Sequence, residues 1–427
     1  MGRSGIRQNS PSDRKSGGSH YPKIECRQTT SDKIEASLNS KQICTMNSLY
    51  LSSTVRELSV GCLLFVVHAA GLPIAGQQLD WPTERGNPLG TGAVPQKLPD
   101  LLVEHWRYEA GEPIEGSPAV SRGRLFVGDV EGTLHAVELD SGKSIWRQKI
   151  DGGFVSAVAV AGDTVIAGDY NGMVYAFDFA DGEQRWTLET NAEISGGPAF
   201  FGENVLIPSQ DGNLYCCRIA DGKLIWKYET SDQIQCSPTI AGDLTFLGGC
   251  DGQLHRVDLK SGQASGEPLP LDGPTLSTPA VRENLAFLTT HGGLVLAFDW
   301  KSNRRVWEFN DPDRRQEYRS SPAVTADAVV ASSQFRQVRG FDPRTGKLLW
   351  STPLRRFAEA SPVIAGDDVW IAATDGRLYR MDVKNGEIRS QQEFRGSFVA
   401  SPIVADQRLI LANNAGVVIA LGAATEK

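Results

Sequence analysis

The seven cysteines include no Cys-x-x-Cys pair and no Cys-x-x-Cys-His run, which excludes a zinc ribbon and a c-type haem. Three of them (Cys26, Cys44 and Cys62) precede the repeats described below, leaving four. No apolar run reaches the 18 or more residues that a membrane-spanning helix needs. Basic residues are not in excess. The chain carries −8 overall, and its first 75 residues hold nine basic and five acidic side chains, so the remainder has 34 basic against 46 acidic, or −12. That balance excludes general nucleic-acid binding, which needs a basic footprint. His291 stands beside Gly292-Gly293 with no second histidine or carboxylate at ligand spacing, so it does not announce a metal centre.

What is present begins with three short N-terminal regions. Residues 1–45 are polar, rich in Ser and Lys/Arg and aperiodic, the pattern of a disordered or upstream extension, with Met46 as a candidate start. Residues 46–76 contain an apolar run from Leu58 to Ala70, interrupted by His68 and followed by small residues and Pro73. This is the pattern of a secretory signal cleaved between Ala69 and Gly76, so export to the periplasm or cell envelope is expected. Cys62 lies before the densest part of that run, which begins at Leu63, rather than after it, and no lipid-attachment cysteine is read there. Residues 77–100 read as a Pro/Gly-rich linker.

Residues 101–427 are repeats. Ala136-Val137-Glu138-Leu139-Asp140-Ser141-Gly142 through Trp146 returns as Ala176-Phe177-Asp178-Phe179-Ala180-Asp181-Gly182 through Trp186, and again, degraded, from Cys216 to Trp226. Each copy joins an alternating apolar run to a second strand through a Gly-containing turn, a strong hairpin signal. A small-small-Pro-apolar marker also recurs. Its third positions are Pro118, Val158, Pro198, Pro238, Pro279, Pro322, Pro362 and Pro402, at intervals of 40, 40, 40, 41, 43, 40 and 40. A period of about 40 residues with four strands each predicts propeller blades, and eight markers predict eight of them.

Adding 28 to each marker gives Trp146, Trp186, Trp226, Gly266, Trp307, Trp350 and Ser390, and the eighth slot falls past Lys427. A spare copy, Trp106, lies forty residues before Trp146. An N-terminal strand that completes the last blade explains the offset and removes an open sheet edge. The fold class is therefore all-β: an eight-bladed β-propeller of four-stranded antiparallel blades, closed by that strand and monomeric as a ring. Gly266 and Ser390 forgo the indole, so blades four and seven are expected to be softer. Pro268 and Pro270 stand where the outer strand of blade four belongs, which an edge strand tolerates.

The pattern Ala-x-Asp-x-x-x-Gly-x-x-x-Trp, complete at Ala176, Asp178, Gly182 and Trp186, resembles the tryptophan-docking motif of quinoprotein-type, PQQ-like propeller repeats. The resemblance covers residues 101–427, and Trp81-Pro82-x-x-Arg85-Gly86-x-Asn87 resembles a segment that precedes such repeats in exported bacterial proteins. It implies structural docking roles for Trp106, Trp146, Trp186, Trp226, Trp307 and Trp350, each lodged between blades over a small Ala. Burying one indole is worth roughly 4–6 kcal/mol as an upper bound. The family has two branches, large PQQ-dependent alcohol dehydrogenases and compact non-catalytic propellers such as the lipoprotein subunit of the β-barrel assembly machinery. Fold alone does not choose between them.

The dehydrogenase branch carries a vicinal disulfide over its cofactor, and Cys216-Cys217 are adjacent. In the repeat alignment, however, Cys216 takes the slot of Ala136, Ala176 and Ala297, and Cys217 that of Val137, Phe177 and Phe298, as packing residues on opposite strand faces. Cys236 and Cys250 share a blade and could pair. His135 and His255 fill the slot of Tyr175, Tyr215 and Tyr379, a structural position. The repeated Asp140, Asp181, Asp211, Asp221, Asp251 and Asp375 sit in turns, where their side chains bond local backbone. Residues 101–427 number 327, about what eight blades consume, so nothing remains to build a cofactor pocket. The expectation is no enzyme, no catalytic residue, no cofactor and no metal, with a PQQ-dependent oxidation of an alcohol or sugar as the alternative.

A binding or scaffolding module for a protein or peptide partner, within or beside a membrane-associated assembly, follows. Two register positions frame the predicted channel mouth. Ile114, Phe154, Ile194, Ile234, Thr275, Tyr318, Ala358 and Phe398 point between blades, while Glu115, Val155, Ser195, Gln235, Leu276, Arg319, Glu359 and Val399 face the mouth. Residues 301–360 add twelve basic against seven acidic side chains. Arg315, Arg319, Arg336 and Arg355 are expected to form an arc that steers an acidic partner, with Glu115, Gln235 and Glu359 beside it.

Overall fold

A computed structural model describes residues 79–312 and 316–424. The regions 1–45 and 46–76 and Arg315 lie outside the described residues. Eight sheets account for every repeat, each of four antiparallel strands, with Ala93–Val94 added in parallel beside Val363–Ala365 of blade seven, and no helix occurs among the described residues. Blade one shows the plan: Ala119–Ser121 innermost, then Arg124–Gly128, Thr133–Glu138 and Ser144–Lys149 outermost. The last blade consists of Ile403–Ala405, Arg408–Ala412, Val417–Ala423 and, as its outer strand, Leu102–Glu109, whose Trp106 lies opposite Ala420. Blade four has only Leu269–Pro270 for an outer strand.

The core lies between blades. One cluster takes Phe126, Leu134 and Trp146 from blade one and Val165, Ala167 and Phe177 from blade two. The tryptophan slot explains this arrangement. A register shift beside each Trp, as between Gln184 and Trp186, marks a bulge that re-aims the side chain toward the neighbouring blade. The indole then donates to the next blade's turn carbonyl: Trp106 to Leu139 over 2.8 Å, Trp146 to Phe179, Trp186 to Ile219, Trp226 to Leu259, Trp307 to Pro343 and Trp350 to Val383. Its ring lies on that turn's glycine. A Cβ on Gly142 would stand 2.7 Å from the Trp106 ring, and φ there is +70°. The Asp-Gly and Ser-Gly pairs thus make the turn and also form the floor on which the preceding Trp rests.

Blades four and seven, expected to be softer for want of the indole, carry a different donor at this slot. In both, arginine replaces the small residue of the facing strand. Arg256 Nη1 donates to the Trp300 carbonyl over 2.7 Å and Nη2 to Ser265 O. Arg380, opposite Ser390, reaches the Asp100 carbonyl and carboxylate at 2.7 and 2.6 Å.

The stretch read as a linker is bound along the inner strands. Trp81 exchanges both backbone hydrogen bonds with Val120. Val160 N–H donates to Pro82 O, Ile240 to Pro88, Val281 to Leu89, Val324 to Thr91, Ile364 to Gly92 and Gly366 to Val94, while Asp406 closes the path at Leu79. Unpaired inner edges are costly when buried, and this segment satisfies them on seven of the eight blades. Nearer the start of those strands, the small marker residues form a second ring. The N–H of Gly197 donates to Ser237 Oγ, Ser237 to Thr278, Thr278 to Ser321, Ser321 to Ser361, Ser361 to Ser401 and Ser401 to Ser117. Ala157 and Gly197 lack a hydroxyl and interrupt it.

Candidate functional site

The loops that enter each inner strand and the turns between second and third strands share one end of the propeller. Ile114, Phe154, Ile194, Ile234, Thr275, Tyr318, Ala358 and Phe398 are all buried, as the alternation predicts. Of the next register, Gln235 is buried, Arg319 is exposed and the other six are half-buried. Glu115 and Glu359 face each other closely enough that burial first, and then the Glu359 charge, raise the Glu115 carboxyl above its ordinary range. Glu193, which the sequence did not single out, joins them. Burial raises its carboxyl, a bond from Gln210 opposes this, and Glu115 raises it further. Gln235 Nε2 donates to Gln233 Oε1 at 2.8 Å.

Three arginines of the expected arc lie on neighbouring loops at this end. Arg319 Nε pairs with Glu317 Oε1 at 2.7 Å. The turn of blade six bridges the set, with Gln334 N–H on Glu317 O and Leu354 N–H on Arg336 O. Arg336 and Arg355 are exposed, and Arg355 lies beside Tyr379. Arg339, counted in the same basic run, belongs instead to a buried network with Asp311 and the Tyr318 hydroxyl. Burial is the first cause lowering His291, with Glu317 opposing it and Arg319 adding to it.

The remaining candidates are structural. His135 Nε2 meets Asp129 Oδ2 at 2.9 Å and its Nδ1 meets the Tyr108 hydroxyl at 2.9 Å, all three buried. Asp251, His255 and Tyr228 repeat this at 2.8 and 2.9 Å. Cys236 is a free thiol, so it does not pair with Cys250. Cys216 and Cys217 are free and fully buried within one strand, in two different inter-blade clusters, and burial pushes each thiol up to about 12. Packed away from the channel, they do not fit a lid over a quinone cofactor. No group of three metal-ligating side chains occurs among the described residues.

A profile of the family described as outer membrane protein assembly factor BamB matches residues 103–194, 171–265 and 269–427. The chain belongs to this family. It is 26% identical over 147 residues to the BamB of Salmonella typhimurium, a segment covering 34% of this chain and 36% of that protein. The crystal structure of BamB from Moraxella catarrhalis superposes with a TM-score of 0.67 at 20% identity, over 77% of this chain and 99% of the other. The quinohemoprotein alcohol dehydrogenase of Comamonas testosteroni gives 0.69 at 14% identity over 82% of each chain. These two likenesses show the eight-bladed fold that both branches share.

Proposed function

We propose that the protein is an exported, non-catalytic docking propeller of the cell envelope that binds protein partners in outer-membrane protein assembly. Membership of the BamB family supports this reading, and one structural observation carries it. The chain's own Leu79–Leu98 stretch lines the inner strands, and Arg85 within it is 2% exposed and donates to the Pro322 and Pro362 carbonyls. With the interior edges of seven blades engaged, the protein offers a partner its end loops. At the marker end these present Arg319, Arg336 and Arg355 beside the Glu115–Glu193–Glu359 carboxylates, a two-signed surface suited to orienting a charged protein. The test is cross-linking in the envelope, followed by kinetics with the captured partner. Arg319→Glu with Arg355→Glu is expected to slow association and flatten its salt dependence while the fold stays intact. Binding indifferent to both reversals and to salt overturns the site.

The likeness to a quinohemoprotein dehydrogenase favours a second reading, PQQ-dependent oxidation. Supplied with PQQ and calcium, the protein is expected to give no alcohol- or sugar-dependent dye reduction, and activity lost on removing PQQ would reverse the assignment.

A further inference from the structure

Among the described residues, the inner strand of blade three is the one that takes no backbone hydrogen bond from the N-terminal segment. The segment meets blade two at Pro82 and blade four at Pro88, but between them residues 83–86 form a turn closed by Gly86 N–H on Thr83 O at 2.9 Å. The Trp81 indole N–H fixes that turn by donating to Glu84 O at 3.1 Å, and the chain steps over blade three. The edge left behind is defined by register. Ala199–Phe201 pairs with Asn204–Pro208, and Phe200 lies opposite Val205 as Val120 lies opposite Leu125. In both hairpins this pair exchanges no hydrogen bonds, so the N–H and C=O of the middle residue point to the inner edge. At Val120 they exchange both bonds with Trp81. At Phe200 the segment supplies neither, and a cavity of about 230 Å³ lies there, walled by Pro82, Pro88, Pro198, Pro238, Val160 and Phe200. Pro88 is exposed and Phe200 half-buried, so the cavity reaches solvent.

The two charged residues of its lining are engaged elsewhere. The Arg85 head group lies on the Pro322 and Pro362 carbonyls of blades six and seven, which are not among its walls, and Glu84 accepts from Ser237 Oγ. What remains is an apolar wall with one backbone donor and one backbone acceptor. Proline carries no N–H, so the four proline walls cannot supply the donor that the Phe200 carbonyl lacks. A bare strand edge of this kind is completed by an extended chain. The other seven blades show that occupant, since a backbone group of the segment lies on each of their inner strands. The cavity falls below the roughly 300–1,000 Å³ of drug-sized pockets, which leaves room for one residue between the prolines.

We propose that the inner edge of blade three is a peptide-docking site for an extended, uncharged segment of a partner protein. One residue of that segment enters the cavity, donates its N–H to the Phe200 carbonyl, accepts from the Phe200 N–H and sets a small apolar side chain among the prolines. The site shares no residue with the arginine and glutamate surface of the end loops.

Titration of the phenylalanine-labelled protein with the capped peptide acetyl-Ala-Val-Ala-amide, read by nuclear magnetic resonance at the Phe200 amide, tests it. The resonance is assigned by its loss in Phe200→Val, a change to the residue that Val120 and Val160 already place at this register. A saturable shift of the Phe200 amide and slower hydrogen exchange there are expected. The same peptide with its valine nitrogen methylated, which has no N–H for the Phe200 carbonyl, should bind about tenfold more weakly or worse. Phe200→Pro removes the protein's donor and should weaken binding likewise, whereas Phe200→Val should not. Ala161→Leu fills the cavity from its wall, at a register where blades three and five carry Phe201 and Arg282. It should also lose binding with an unchanged melting profile, so the proposal stays testable if the proline variant does not fold. A peptide that leaves the Phe200 amide unmoved overturns the proposal, as does equal binding of the methylated peptide or wild-type affinity in Ala161→Leu.

Discussion

Arg256 Nη1 donates to the Trp300 carbonyl over 2.7 Å, the hydrogen bond that an indole makes in the six blades that carry a slot tryptophan. The two blades without that indole are the two in which the facing small residue is arginine. Volume and donor are both conserved, supplied from the adjacent strand. A guanidinium can do this because its planar fork serves two acceptors at once while its stem packs against apolar neighbours.

Exchange in blade seven measures that equivalence, because Ser390 lies opposite Arg380 in the strand Ile388–Glu393, beside the same register shift that flanks the slot tryptophans. Arg380→Ala should cost roughly 3–5 kcal/mol by stranding buried Asp368 with Arg389 alone. Ser390→Trp should cost about 1–3 kcal/mol by overpacking. Together they should cost about 1–3 kcal/mol less than the sum in chemical denaturation. Strict additivity would show that arginine does not occupy the tryptophan's place.

Trp106→Ala is expected to destabilise by roughly 3–5 kcal/mol. The indole is buried against Gly142 and bonded to Leu139 O, and its strand supplies the outer edge of the last blade. Equilibrium unfolding reads the loss, and unchanged stability would remove the docking role.

Eight blades, their register and the shared last sheet were legible because a 40-residue period repeats the same turn chemistry. Trp146 and its relatives were legible as docking residues, though not the glycine beneath each, since that contact crosses to the next repeat. The Arg256 and Arg380 replacements were in principle readable, as each arginine sits in the alanine slot of a repeat that lacks its tryptophan. Residues 79–98 were misread as a linker because proline and glycine there serve backbone pairing with seven separate strands, which leaves no periodicity. Asp129 and Glu193 were missed for different reasons. Glu193 meets Glu115 only through the ring, whereas Asp129 lies six residues before His135 in one hairpin, a spacing that Asp169 and Tyr175 repeat and that was readable from the repeats.

The carboxylate mouth sets a pH dependence. Glu115 and Glu193 have folded-state pKa values above the ordinary 4.5, so the folded protein holds more protons than the unfolded one in the window above that value. Stability therefore falls as pH rises from the ordinary carboxylate value through the raised ones. Glu115→Gln should flatten that fall and raise the neutral-pH melting temperature, since it removes a desolvated charge and relieves Glu193. A variant less stable than the wild type at neutral pH would show that the charge is compensated by a partner.

Truncation separates a linker from a structural segment. A linker contributes nothing when removed, whereas residues 79–98 satisfy backbone groups on seven inner strands and place Trp81, Arg85 and Leu98 in the interior. Each buried backbone group left without a partner costs about 1–3 kcal/mol unless water reaches it. A chain beginning at residue 99 opens the channel to water, so only part of that cost appears, but the apolar burial of Trp81 and Leu98 is lost outright. We expect the 99–427 chain to remain β-rich, with a markedly lower melting temperature and faster hydrogen exchange at Val120, Val160, Ile240, Val281, Val324 and Ile364 than the 77–427 chain. Phe200, which the segment does not cover, should exchange alike in both. Equal exchange at all seven positions would mean that the segment leaves the channel in solution.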